Sequence, residues 1–259
     1  MSPNQPAAGV FVTGTGTEVG KTVVAAAIAR TLAAAGRRVA VFKPAVTGLE
    51  DLAAAGAISS APDDLPAQPP PLADHELLRL ASGSSQGDDE IAPYRYGPAA
   101  SPHLAAALAG EEIEPERLRE VARAAAAGED VLVCEGVGGL LVPLTSRLCV
   151  PTGNKSALPY LVRDLAADLG YPVVIAAAPG LGTINHTLLT LESARAVSLE
   201  VAAVVLTPWP SEPNQVERSN LETIAELGQV EVRTLPLLDL AQPATWPPLH
   251  VLMGRKPSI

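Results

Sequence analysis

The residues that could do chemistry gather first near the start of the chain, in Val10-Phe11-Val12-Thr13-Gly14-Thr15-Gly16-Thr17-Glu18-Val19-Gly20-Lys21-Thr22. An apolar run reads as a buried strand, a Gly/Thr-rich turn follows, and the stretch from Val23 to Leu32 reads as a helix. Amides freed by the glycines and the unsatisfied donors of a helix N-terminus converge on an anion. Lys21 can reach outer phosphates and the Thr22 hydroxyl can ligate Mg²⁺, so this is the layout of a phosphate-binding P-loop. The common form places four residues between the first glycine and Gly-Lys, whereas Gly14 and Gly20 enclose five.

Further candidates stand at later strand ends. Lys43 and Thr47 follow Val39 to Phe42, a second strand, and ligands bind at strand ends in an open α/β sheet. A solvated lysine beside a turn reads equally well from that spacing alone. Asp130 to Glu135 is an apolar strand ending in a carboxylate, which places an acid near Mg²⁺, and Gly136-Val137-Gly138-Gly139 lets backbone approach a ligand. Asp74 opens a helix, either as its N-cap or as a Mg²⁺ ligand. Pro179 to His186 is a second glycine-bearing turn, with a helix resuming at Thr187, and could hold a second anion such as a substrate carboxylate. An ordinary strand–loop–helix connection accounts for the same spacing.

The elements that position these groups alternate, strand then helix, through Tyr160–Leu169, Val173–Ala178, Val201–Leu206, Gln215–Leu227 and Val230–Leu235. That alternation predicts an α/β fold: a mainly parallel sheet with helices on both faces. One domain is expected over residues 9–240, with a flexible tail at 1–8, surface loops at 51–71 and 146–157, and a C-terminal tail at 241–259. A formal charge of −10 and no basic stripe argue against a nucleic-acid surface. Cys134 and Cys149 stand in no metal-ligand spacing, no segment reads as a leader or a membrane span, and a cytoplasmic protein is the expectation.

Taken together, the P-loop, Lys43-Pro44 with Thr47-Gly48, Ser101-Pro102-His103, Glu135-Gly136-Val137-Gly138-Gly139 and Leu181-Gly182-Thr183-Ile184-Asn185-His186 resemble the dethiobiotin synthetases, over roughly residues 10–240. The five-residue loop spacing is that family's form. The resemblance implies that 7,8-diaminopelargonate (7,8-diaminononanoate), CO₂ and ATP give dethiobiotin, ADP and phosphate, through a carbamate and a carbamic–phosphoric anhydride. It implies catalytic roles for Lys21 and Lys43, and Mg²⁺ on Thr22, Asp74 and Glu135. Nucleotide contacts would come from Glu18, Val19, Gly20, Lys21, Thr22, Val23, Asp74, Glu135, Gly136, Val137, Gly138, Thr207, Pro208, Leu235 and Pro236. Substrate contacts would come from Thr17, Thr47, Gly138, Gly139, Gly182, Thr183, Ile184 and Asn185, the last four across the interface of a homodimer. Where many members of that family carry an Asn to read the adenine edge, this chain has Thr207 and Pro208, so relaxed base discrimination is expected. Two rivals share the module. A cobyrinic-acid-type amide synthetase needs a glutamine-hydrolysing domain, for which too little chain follows residue 200. A ParA- or MinD-like ATPase switch carries an early loop lysine, where this chain has Gly14-Thr15-Gly16-Thr17.

Overall fold

Short runs of buried Val, Ile, Leu and Ala build the sheet. In the computed structural model, which describes residues 7–58, 72–146 and 158–255, the strands are β1 (Ala8–Gly14), β2 (Val39–Phe42), β3 (Val131–Gly139), β4 (Val173–Ala177), β5 (Val201–Trp209) and β6 (Val232–Pro236). They lie in the order β2-β3-β1-β4-β5-β6, and every neighbouring pair is parallel. The helices are α1 (Lys21–Ala34), α2 (Leu49–Ile58), α3 (Asp74–Ser82), α4 (Asp88–Ile91), α5 (Pro102–Leu108), α6 (Pro115–Ala126), α7 (Val162–Leu169), α8 (Thr183–Arg195) and α9 (Gln215–Gly228).

Side chains alternate across each strand, so β1 divides its own between two cores. Val10 and Val12 belong to the core that includes residues of α1 and α3; Phe11 belongs to the core that includes residues of α5, α6, α7, α8 and α9. Covering both faces is why Val131, Leu132, Val133 and Cys134 form an unbroken buried run rather than an apolar–polar alternation. The chain leaves β1, crosses through α1 to the edge strand β2, and returns to β3 between them. That reversal opens a crevice at the carboxyl ends of β1 and β3, where an open parallel sheet binds its ligands.

Several local expectations change. Leu49–Ile58, most of it expected as loop, is helical: it is alanine-rich, with Glu50 and Asp51 in the first turn where the helix dipole favours acids. The rest of that loop, 59–71, lies outside the described residues, as do 147–157 with Cys149 and residues 1–6 of the N-terminal tail. The β1 strand already begins at Ala8. The N-cap of α3 is Ala73, whose N–H donates to Glu76 Oε2 at 2.8 Å, so Asp74 is the first helical residue and its carboxylate is free for other work. The α8 helix starts at Thr183 rather than Thr187, because Gly182 adopts φ 91° and turns the chain directly into it. Residues 241–259 were expected as a tail, yet Trp246 and Leu249 are buried in the α1-side core. Gly254–Arg255 then forms a short strand, β7, antiparallel to Ala8 and Gly9.

Candidate active site

The loop between β1 and α1 is shaped as an anion cradle. Its glycines are there for steric reasons. A Cβ on Gly14 would lie 2.6 Å from Val19 Cγ2 and 2.9 Å from Lys21 Cγ, and Gly20 stands at φ 84°. Glu18 also takes a positive φ, 59°, a cost that non-glycine residues bear mainly at sites of function. Thr15 N–H donates to Ala176 O at 3.0 Å, but among the described residues the amides of 16–23 enter no backbone hydrogen bond. These amides therefore remain free for an anion. Lys21 folds over the loop and donates to Gly16 O at 2.8 Å; burial lowers its pKa, and Glu135 opposes the shift.

Beside the cradle, the ends of β2, β3 and the start of α3 bring three charges together. Lys43 Nζ lies 2.5 Å from Asp74 Oδ2 and 2.6 Å from Glu135 Oε1. Burial opposes the ammonium charge, but the two carboxylates outweigh it and Lys43's pKa is raised. Asp74 is likewise pushed against by burial, yet Lys43 and the Thr22 hydroxyl hold its pKa below the usual range. Glu135 is fully buried, and burial lifts its pKa above that of an ordinary glutamate despite Lys43. The Thr22 hydroxyl lies 2.9 Å from both Asp74 Oδ1 and Glu135 Oε1 and donates its proton to either. Residues 22, 43, 74 and 135, far apart in the chain, thus form one bonded cluster.

That cluster fits a magnesium ion. Glu135 Oε2 is buried with no hydrogen-bond partner among the described residues, an oxygen otherwise costly to leave unpaired. Two carboxylates and a hydroxyl are hard oxygen donors, and Mg²⁺ is commonly held by one or two carboxylates, water and substrate phosphates. No group of three or more His, Cys, Asp and Glu that could hold a metal ion assembles among the described residues.

The remaining candidates divide. Gly14, Thr15, Gly16 and Thr17 line a cavity of about 410 Å³ with Gly139, Leu140, Leu141 and Val142 on one side and α8 on another. The α8 contributors are His186, Leu189, Thr190 and Ser193, spaced i, i+3, i+4, i+7 along one helix face. The sequence reading missed this wall, although that spacing was its signal. Gly182, Thr183, Ile184 and Asn185 lie a turn earlier and do not line the cavity; Thr183 is buried, while Gly182 and Asn185 face solvent. Gly136 is buried, Val137, Gly138 and Thr47 are half-buried, and β3 continues through Gly139 with a register shift against β1 between Val12 and Gly14. At the end of β5, Thr207 is buried, its Cγ2 standing 2.6 Å from where a Cβ on Gly20 would be, and Pro208 is exposed. Leu235 is buried and Pro236 exposed. Val19 and Val23 are half-buried beside the loop.

A glycine cradle leading into a helix, a carboxylate closing the neighbouring strand and a switch-point crevice define a P-loop nucleotide-binding α/β protein. A family described as an AAA domain matches residues 8–243. The chain is 41% identical over 219 residues to an ATP-dependent dethiobiotin synthetase of Anaeromyxobacter dehalogenans, covering 85% of each protein. It is 39% identical over 231 residues to that of Rhodococcus erythropolis, covering 89% of this chain and 86% of the relative. The chain belongs to the dethiobiotin synthetase family. Among solved structures it is similar to the MinC:MinD cell division protein complex of Aquifex aeolicus at 15% identity and a TM-score of 0.49, covering 89% of this chain and 81% of that one.

Proposed function

We propose that the cluster of Lys21, Thr22, Lys43, Asp74 and Glu135 transfers the terminal phosphoryl of ATP to a carbamate of 7,8-diaminopelargonate, as the central step in ATP-dependent formation of dethiobiotin from the diamine and CO₂. The relatives' activity supports the overall reaction. The observation that carries the local reading is the pair of buried lysines beside two carboxylates at the mouth of an anion cradle.

One amine adds to CO₂ and loses a proton, giving a carbamate. The carbamate oxygen attacks the terminal phosphorus as ADP leaves. The second amine then attacks the carbamoyl carbon, phosphate departs, and loss of a proton leaves the cyclic urea. Little of this needs a strong base from the protein; phosphoryl transfer needs alignment and fixed positive charge. The free amides of residues 16–23 receive the phosphates, and Lys21 exchanges its bond to Gly16 O for a phosphate oxygen. Lys43, held ready by Asp74 and Glu135, moves to the oxygens of the transferred group. Asp74, Glu135 and Thr22 would hold a magnesium ion, which would supply charge neutralisation on the phosphates. Thr17, Thr47 and the backbone at Gly138 and Gly139 flank the carbamate.

The cavity bounded by Leu140, Leu141, Val142 and Leu189 suits an alkyl chain. Leu181, Leu141 and Leu189 are 98%, 58% and 55% exposed, apolar surface that fits the expected homodimer and would bring the partner's Gly182–Asn185 turn to the substrate carboxylate. No helix of the described residues is long and apolar enough to cross a membrane. ADP and phosphate release at fixed bicarbonate, Mg²⁺ and ATP should depend on the diamine. Release that ignores the diamine, yet responds to another amine, would remove the substrate assignment and leave the P-loop chemistry.

A further inference from the structure

The chain past residue 243, where the family match ends, does not trail into solvent but returns across α1. Leu249 N–H donates to Thr31 Oγ1 at 2.8 Å, and Arg30 Nε donates to Pro243 O at 3.2 Å. Leu238, Trp246 and Leu249 are buried together in the α1-side core. β7 then anchors the segment on the first residues of β1; a Cβ on Gly254 would come within 2.4 Å of Pro172 Cδ, so the fit is close.

At the other end of this segment is the loop leaving β6, and its hydrogen bonds converge on one residue. The Asp239 carboxylate accepts from Ala241 N at 3.0 Å and from Gln242 Nε2 at 2.9 Å. The Asp239 carbonyl accepts from Gln242 N at 3.1 Å and from the Trp246 indole Nε1 at 2.7 Å. The Trp246 bond joins the loop to the part of the chain that is buried on the P-loop helix. The same loop begins at Pro236, which pairs with Trp209 just beyond Thr207 and Pro208. It therefore stands at the end of the sheet where Thr207 meets Gly20, next to the cradle.

We propose that residues 237–255 form a strap that positions the loop after β6 against the base and ribose of the nucleotide, with Trp246 as the positioning residue. The inference rests on the nucleotide site proposed above. Breaking the strap lets that loop move away from the nucleotide while leaving Lys21, Lys43 and Glu135 where they are. Nucleotide affinity falls and the chemical step does not. An indole N–H to a carbonyl is one neutral hydrogen bond, which sets the scale.

The test is Trp246→Phe in the full chain, read by steady-state kinetics and by calorimetric titration with Mg·ATP. The KM and Kd for ATP should rise about threefold to tenfold, the range one such bond covers, with kcat and the KM for the diamine unchanged. Thr31→Val, which cuts the strap at a second point remote from the loop, should move the same parameters in the same direction and serves alone if the Trp246 variant does not fold. Unchanged ATP affinity in a folded variant, or a fall in kcat without a change in ATP affinity, overturns the strap. Failure of the wild-type chain to show diamine-dependent turnover while Mg·ATP still binds would instead strike the proposed reaction, and the calorimetry would still judge the strap.

Discussion

The two ends of the nucleotide site are built by different physics. At the phosphate end, Lys21, Lys43 and Glu135 are buried, and hydrogen bonds of 2.5–2.9 Å join Lys43, Thr22, Asp74 and Glu135 into one network. At the proposed base end, Pro208 and Pro236 are exposed, Thr207 and Leu235 turn inward, and no charged side chain of the described residues is buried there. Charge that must meet a triphosphate is worth desolvating only if it is paired beforehand. A base can be met by surface that costs little to leave bare. The first end is therefore paired in advance and chemically committed, whereas the second depends on how the following loop is held.

The hardest blow to the committed end is Lys43→Ala. It removes the cation aimed at the transferred group and leaves Glu135 buried without a counter-charge, so kcat should fall by about a hundredfold to a thousandfold while Mg·ATP still binds. A variant retaining more than a tenth of wild-type turnover would show that Lys43 serves only to neutralise the two acids. Next in size is Gly20→Ala, which strikes the point where the two ends touch. Its φ of 84° strains any Cβ, and that Cβ would press 2.6 Å from Thr207 Cγ2. About 1–3 kcal/mol of stability should be lost, the usual cost of overpacking, seen as a lower urea midpoint. Adding Thr207→Ser removes the methyl and should restore part of that loss. No recovery would mean that φ strain alone is responsible.

Much of this was legible in the sequence because it is local. Strand, glycine turn, lysine, hydroxyl and helix occur in one continuous stretch, and Glu135 closes an apolar run. What stayed hidden is tertiary. Asp74 reads as either a cap or a metal ligand, and only the fold decides between them: Ala73 is the cap, and the Asp74 carboxylate turns to Lys43 and Thr22. Trp246 and Leu249 read as tail because Pro243, Pro247 and Pro248 disguise two residues whose burial depends on a helix some two hundred positions earlier. The Gly182–Asn185 turn showed its glycine but not the face of α8 that follows it.

Asp74 offers a smaller, pH-resolved effect. Its pKa is depressed in the folded chain, so its carboxylate contributes stability that is fully present above the ordinary aspartate pKa of about 3.9 and is lost as pH falls through the folded value. Urea unfolding of wild type and Asp74→Asn should differ by a constant amount from pH 5 to 7 and converge below about pH 4. A gap that persists undiminished to pH 3 would mean that Asp74 contributes packing and not charge.

The smallest expected effect is the one that most sharpens the contrast. A site that hydrogen-bonds one base through buried polar groups rejects another by about 10⁴-fold or more, because the wrong base leaves those groups unpaired; an apolar wall discriminates by only about 10–200-fold. Here the end of β5 presents Pro208, which has no N–H to offer, and Thr207 is buried with its methyl against the cradle. With no dedicated amide to leave unpaired, ATP, CTP and GTP should support diamine-dependent phosphate release with kcat/KM values within about tenfold of one another, at the low end of the apolar-wall range. An ATP preference above about 200-fold, beyond the apolar-wall range, would require a donor–acceptor pair in the loop after β6, and would move base recognition from the strand to the strap.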